Sequence, residues 1–214
     1  MIKFKISFAV LLFLCFFSIS QAQSKKILVH TNYGDFKVLL YDYTAHHQQL
    51  LLDAIQSGVY TNAQFNRVIS DFVVQGGELD EDILSEEAKS PSKPPVRLAP
   101  EFDTRAFHKI GALGAGRDDN PTKSSFLNQL YFVVGKKVTV QDLDALEKKK
   151  GIVYSKEQRE EYLKNGGQPR LDHDYTVFGE IYEGLDVIMK ISKVKTSSAD
   201  LPVDKVTFSL TVIE

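Results

Sequence analysis

The sequence predicts a mainly β domain in which short strands close into an antiparallel barrel plugged by helices. Three observations carry this reading. Short runs rich in β-branched and aromatic residues recur along the chain, most of them ended by Gly, Asn, Asp or Pro. Helical periodicity is confined to a few brief segments. No internal repeat or linker divides the 214 residues, a length suited to one domain.

Lys26 to Thr31 and Phe36 to Leu40 are β-rich runs joined by the turn-forming Asn32-Tyr33-Gly34-Asp35, a hairpin signal. His46 to Ser57 places Leu50, Leu51, Ala54 and Ile55 on one helical face and stops at Gly58. Gln64 to Ile69 alternates as a strand, and Phe72 to Val74 forms a shorter one closed by Gly76-Gly77. Glu78 to Pro100, acidic and then rich in Pro and Ser, reads as a long loop. Ala112 to Ala115 and Leu130 to Val134 are apolar enough to be buried strands, separated by a polar loop around Asp118-Asp119-Asn120-Pro121.

Residues 136–168 change character. Val140 to Lys150 and Ser155 to Lys164 read as two charged surface helices broken at Gly151, with Ser155 and Gln158 spaced as a capping box. The run Lys148-Lys149-Lys150 reads as a solvated helix face. Thr176 to Ile181 is a strand and Leu185 to Ile191 a short helix. Lys205 to Ile213 is a closing strand with alternating Val206, Phe208, Leu210 and Val212.

Residues 1–22 read as an export signal rather than as fold. Lys3 and Lys5 precede an apolar run from Ile6 to about Ile19, and Ser20 and Ala22 supply small residues before a cut after Ala22. A membrane anchor is the competing reading, but the run is short for a span. A lipoprotein site at Cys15 is disfavoured by bulky Leu14 before it. Cleavage removes the only cysteine, which suits an oxidising compartment, and no stable membrane insertion is expected afterwards. Lys+Arg total 26 against 28 Asp+Glu, so there is no basic excess to bind nucleic acid. A single cysteine rules out a disulfide framework and a cysteine-based zinc site.

The five histidines, His30, His46, His47, His108 and His173, form no HExxH or His-x-His pattern and read as surface or satisfied residues. Gly111 to Gly116 has its glycines in the wrong order for a dinucleotide loop and reads as close backbone packing. Ser124-Ser125 lacks a nucleophile elbow. The stretch that needs explaining is Phe65-Asn66-Arg67-Val68-Ile69 with Phe72 and Gln75-Gly76-Gly77. Strand alternation puts Phe65, Arg67 and Ile69 on one face, as it does Phe72 and Val74 next door. On spacing alone two readings stay open: an arginine snorkelling at the barrel surface, or a functional cation beside an apolar site.

That stretch resembles the cyclophilin family of peptidyl-prolyl isomerases, whose motif runs F-H-R-V-I-x-x-F-M-x-Q-G-G. The resemblance continues in order through Glu101-Phe102, His108 to Leu113, Asn128 to Phe132, Leu171-Asp172, Val177 to Gly179 and Gly184 to Val187. It spans nearly all of the chain after residue 22. It implies an eight-stranded antiparallel barrel capped by two helices, here with an extra helical insertion at 136–168. It also implies rotation of X–Pro bonds in proline-containing polypeptides, with no cofactor or metal. The insertion is similar to those of some exported bacterial members, which points to a periplasmic monomer assisting the folding of exported proteins.

By motif position, Arg67 matches the family's catalytic arginine. Phe72, Val73, Tyr131 and Leu171 match the walls of the proline pocket. Gln75 and Gln129 match the groups that hold substrate backbone or orient the arginine. Gly116 and Arg117 match the pair that meets the residue before proline. Asn66 and Tyr175 stand where the family has histidines, Val73 where it has methionine, Tyr131 where phenylalanine is commoner, and Leu130 where it has an aromatic residue. Arg170 stands where many members carry a tryptophan, which implies poor cyclosporin sensitivity. The departures keep open a second function, a non-catalytic proline-peptide-binding chaperone. A scaffold role for the helices of 136–168 is a third.

Overall fold

The computed structural model describes residues 25–214, so the expected leader lies outside the described residues. Eight strands, β1 (Lys25–Thr31), β2 (Gly34–Leu40), β3 (Ala63–Ile69), β4 (Val73–Gly77), β5 (Ala112–Ala115), β6 (Gln129–Val133), β7 (Val177–Glu183) and β8 (Thr207–Ile213), form a closed barrel. Their order is β1-β2-β7-β5-β6-β4-β3-β8, and every neighbouring pair is antiparallel. Among the described residues closure gives every strand a neighbour on both sides. Inward residues of alternate positions fill the barrel, among them Ile27, Val29, Phe36, Val38, Val74, Phe132 and Phe208. Helix α1 (Ala45–Gln56) adds Leu51 and Ala54 to that core, and helix α5 (Leu185–Ile191) adds Val187, Ile188 and Ile191. Among the described residues no helix is long and apolar enough to cross a membrane.

The facing of β3 and β4 differs from the alternation expected. Phe65 opposes Gly76, whereas Arg67 opposes Gln75, so Asn66 is an extra residue in a β-bulge. The bulge resets the alternation. Phe65 and Val68 point into the core, and Arg67 turns outward on the opposite face from Phe65. Likewise Val74 belongs to the barrel interior, and Val73, not Val74, packs beside Phe72 outside it.

Two further elements depart from expectation. Helix α2 (Asp80–Ala88) occupies part of the stretch read as a long loop. None of its residues is buried, so it carries no apolar stripe to reveal it, but Asp80, Glu81 and Asp82 in its first turn suit the positive end of the helix dipole. Strand β4 continues through Gly76-Gly77 instead of ending before them. A Cβ on Gly76 would lie 2.7 Å from the Gln64 carbonyl oxygen, and one on Gly77 2.0 Å from that of Asn128, so these glycines permit close strand approach.

The insertion folds as helices α3 (Val140–Lys150) and α4 (Lys156–Asn165). Both begin with capping boxes, Thr139 with Asp142 and Ser155 with Gln158. Lys136 and Gly167 exchange backbone hydrogen bonds and close its neck. The helices are more than a charged surface. Leu143, Tyr154 and Tyr162 are buried together with Val138, a small second core packed on Phe107. Nor is Lys150 simply solvated: its Nζ donates at 2.7 Å to the carbonyls of Arg170 and Asp172 and to Asp174 Oδ2.

A buried polar pair ties α1 to the loop before β5. His47 Nδ1 lies 2.6 Å from Glu101 Oε2, and Glu101 also accepts from the backbone N–H groups of His46 and His47. Burial holds the His47 imidazole below its ordinary 6.5. Burial pushes the Glu101 carboxyl up, but the hydrogen bonds from His47 and its neighbour outweigh this and hold it below 4.5. Both shifts act in one direction. Below pH 6.5 the unfolded chain takes up a proton on His47 that the folded chain resists, and below 4.5 the same holds for Glu101. Thermal midpoints are therefore expected to fall as pH drops from 7 to 5, and more steeply below 4.5. His47→Gln should flatten the first part of that profile, and a decline of equal slope in the variant would contradict the assignment.

Candidate active site

The cleft lies on the outside of the barrel, over β3, β4 and β6. Tyr131, Val73 and Leu171 form a buried cluster distinct from the barrel interior, with Phe72 and Tyr175 packed against it. Val73 and Tyr131 are outward residues of β4 and β6, so the alternation that fills the core also starts an apolar floor on the other face, which Phe72, Leu171 and Tyr175 complete from the turns beside it. Asn66, Arg67, Phe72, Val73, Gln75, Gly116, Arg117, Gln129, Tyr131, Leu171 and Tyr175 all line one cleft of about 420 Å³. Every site residue named from the sequence is thus brought to a single surface.

Arg67 reaches the cleft half-exposed, its side chain 42% accessible. Its Nη1 donates to Gln75 Oε1 at 3.3 Å, and its Nε lies 3.9 Å from Asp200 Oδ2. Gln75 is held at the register position opposite Arg67, so the bulge at Asn66 aligns the pair. Asn66 donates to the Gly77 carbonyl at 2.7 Å, a bond that anchors the bulge to β4.

Gln129 is 4% exposed and donates to the Glu78 carbonyl at 3.0 Å and to Asp80 Oδ1. Gly116 makes room for it: a Cβ there would stand 1.8 Å from Gln129 Oε1. Gly114 does the same for the floor, since a Cβ would lie 2.2 Å from Tyr131 Cζ. Gly114 and Gly116 therefore serve close packing, as expected, whereas Gly111 takes a left-handed φ of 83°. The Arg117 side chain is committed to the scaffold. Its Nε donates to the Asp174 carbonyl at 2.7 Å, and its guanidinium stacks 4.6 Å from the centroid of Tyr175. Tyr175 in turn meets Tyr131 edge-on.

The Tyr131 hydroxyl lies 2.7 Å from His108 Nε2, and burial pushes it well above the ordinary tyrosine range. It is therefore a neutral hydroxyl near neutral pH. Phe72 is set by a turn at Asp71, which has a φ of 60°, and its ring is covered by the Arg170 guanidinium at 4.3 Å. Arg170 thus lies against the pocket wall without lining the cleft.

Sequence reasoning missed Leu79, Asp80, Glu81, Ala199 and Leu201, which also line the cleft. The first three belong to the start of α2, which had no helical signal. The last two, with Asp200, sit on the turn before β8, which is tied to β3 by a hydrogen bond from Val68 N–H to the Asp200 carbonyl at 2.9 Å. Nothing local in that turn marks it as part of the site.

The sequence profile of the family described as cyclophilin type peptidyl-prolyl cis-trans isomerase/CLD matches residues 26–212. The chain belongs to the cyclophilins. Among its relatives is a Staphylococcus saprophyticus protein, provisionally named a peptidyl-prolyl cis-trans isomerase. It is 31% identical over 195 residues, covering 88% of this chain and 92% of that one. A Staphylococcus epidermidis protein with the same provisional name is 31% identical over 182 residues, covering 83% of this chain and 86% of its own. A cyclophilin-type isomerase of Cryptosporidium parvum has a crystal structure that superimposes with a TM-score of 0.61 at 16% identity, over 90% of this chain and 99% of that one. The same protein has been crystallised in the presence of the dipeptide Ala-Pro. The barrel of this cyclophilin matches that fold, and its cleft carries the residues that the family motif places together.

Proposed function

We propose that this cyclophilin accelerates cis/trans exchange of X–Pro bonds in the cleft described, with Arg67 as the catalytic residue. The supporting observation is a guanidinium, anchored by Gln75, on the rim of an apolar floor. Rotating an amide through its twisted state costs about 18–20 kcal/mol because resonance is lost. For X–Pro bonds the exchange takes tens to hundreds of seconds unaided. No covalent bond need be made or broken, so a catalyst has only to bind the twisted amide better than the planar one.

Twisting returns a lone pair to the proline nitrogen. A guanidinium N–H directed at that nitrogen stabilises the twisted form, and the charge of arginine is permanent. Phe72, Val73, Tyr131 and Leu171 take the proline ring. Gln129, Gly116 and the backbone at Arg117 meet the residue before it. An exchange assay on a short X–Pro peptide tests the reading. Faster exchange with the wild-type chain supports it; peptide binding without acceleration leaves a non-catalytic proline-peptide binder. Gly116→Ala forces Gln129 off Asp80 and Glu78, and the loss of its neutral hydrogen bond to substrate, worth about 1 kcal/mol, should raise KM roughly fivefold. An unchanged KM would remove Gln129 from substrate binding.

The same reading extends to the setting. Residues 1–22 act as a cleaved leader, and the protein works as a monomer on exported polypeptides in a bacterial periplasm. The support is the charge and apolar pattern of the leader and the absence of cysteine after it. Sequencing the N-terminus of protein recovered from the periplasmic fraction tests this; a chain still beginning at Met1 in the cytosol contradicts it.

A further inference from the structure

The insertion makes a buried connection to the pocket floor. On α4, the Tyr162 hydroxyl donates to Asp172 Oδ2 at 2.6 Å. The other oxygen of that carboxyl accepts from the His108 backbone N–H at 2.9 Å and lies 2.7 Å from His108 Nδ1. A carboxylate only accepts, so Nδ1 carries a ring proton, and Nε2 faces the Tyr131 hydroxyl at 2.7 Å. Burial raises both tyrosine hydroxyls well above their ordinary range, which keeps both protonated. All four side chains are 4% exposed or less. The Tyr131 ring therefore has little freedom: Gly114 abuts it, and His108 holds its hydroxyl.

A second link reaches the pocket wall. Gln168, at the end of the insertion, donates to the Asp71 carbonyl at 2.7 Å, in the turn that sets Phe72. Rotation of an X–Pro bond requires none of these polar groups. Their arrangement answers a different need, which is to hold two rings of the pocket in place.

We propose that Tyr162 is a positioning residue for the pocket: through Asp172 and His108 it fixes the Tyr131 ring, so the insertion sets the shape of the substrate floor. This rests on the cleft being the X–Pro site. Removing the Tyr162 hydroxyl frees one oxygen of Asp172 to seek another donor, and His108 and Tyr131 follow. The test uses the intact chain carrying Tyr162→Phe, with steady-state exchange kinetics and the ring ¹⁵N resonances of His108 as readouts. KM is expected to rise three- to tenfold with kcat within twofold of wild type, and the His108 resonances to move. Tyr131→Phe should raise KM similarly, and the double variant should be no worse than either single one, because both act through one chain of contacts.

Leu143→Ala loosens the same insertion without touching a hydroxyl, and should lower the melting temperature while leaving KM unchanged. A wild-type KM and unmoved His108 resonances in Tyr162→Phe, alongside an inactive Arg67→Ala, overturn the positioning role alone. Additive single effects, or an equal KM rise in Leu143→Ala, also overturn it. Equal activity in wild type and Arg67→Ala removes the X–Pro reading of the cleft and this proposal with it. If Tyr162→Phe does not fold, 3-fluorotyrosine at position 162 keeps the hydroxyl but changes its donor strength. His108 resonances that stay in place there overturn the role.

Discussion

Arg67→Ala is expected to lower kcat/KM for X–Pro exchange by about two to three orders of magnitude, the usual cost of removing one preorganised donor from a developing charge. The fall should lie in kcat. Phe72, Val73, Tyr131 and Leu171 form the apolar floor without help from Arg67, so ground-state binding of a proline peptide should survive, and titration of such a peptide should give a Kd near wild type. Arg67→Lys tests geometry against charge. Lysine keeps the cation but loses the fork that meets Gln75 on one side and the substrate on the other. Recovery of no more than a tenth of wild-type activity is therefore expected, and full recovery would mean that charge alone suffices. The ion pair with Asp200 is exposed on both sides, so Asp200→Ala should cost little stability. Because arginine does not titrate near neutrality, the wild-type rate should be flat from pH 6 to 9. A bell-shaped profile would assign the chemistry to some other group.

Much of the barrel was legible because its signals are local. The first hairpin, the short strand Ala112–Ala115 and helices Val140–Lys150 and Leu185–Ile191 stand at the bounds their patterns implied or close to them. What escaped was non-local or had no apolar signature. The bulge at Asn66 is a matter of register between two strands, and strict alternation therefore put Arg67 on the wrong face relative to Phe65. The family motif still singled out Arg67, since a motif match does not depend on which way a strand faces. Helix α2 buries nothing and so has no periodicity to read. The polar chain behind Tyr131 was visible only in fragments: a tyrosine hydroxyl replacing a phenylalanine, a histidine read as satisfied, and Asp172 as one letter of a motif. Charged residues dominate the insertion sequence, which hid Tyr154 and Tyr162 as core residues. A tyrosine among lysines and glutamates looks like surface until its hydroxyl has a buried partner.

Asp172→Ala is the substitution expected to cost most stability, about 3–5 kcal/mol, because it leaves three buried donors without an acceptor. The carboxyl is 4% exposed and accepts from the backbone N–H of His108, the ring of His108 and the hydroxyl of Tyr162. Alanine strands all three donors in a space closed to bulk water, and each stranded donor carries its own desolvation cost of about 1–3 kcal/mol. Against a typical domain stability of about 5–15 kcal/mol this is a large fraction. The urea midpoint, followed by far-UV circular dichroism, should fall by roughly 1–2 M. Asp172→Asn separates the contributions. The amide oxygen can still serve the two His108 donors, but the NH₂ cannot accept the Tyr162 proton and the hydroxyl must turn to accept instead, so a loss near half that of alanine is expected. If Asp172→Asn instead lost as much as Asp172→Ala, the full negative charge rather than the number of acceptors would be holding the network. A shift in midpoint under about 0.5 M for Asp172→Ala would mean that water replaces the carboxyl, and that the insertion is joined to the barrel through Lys150 and its neck rather than through this buried group.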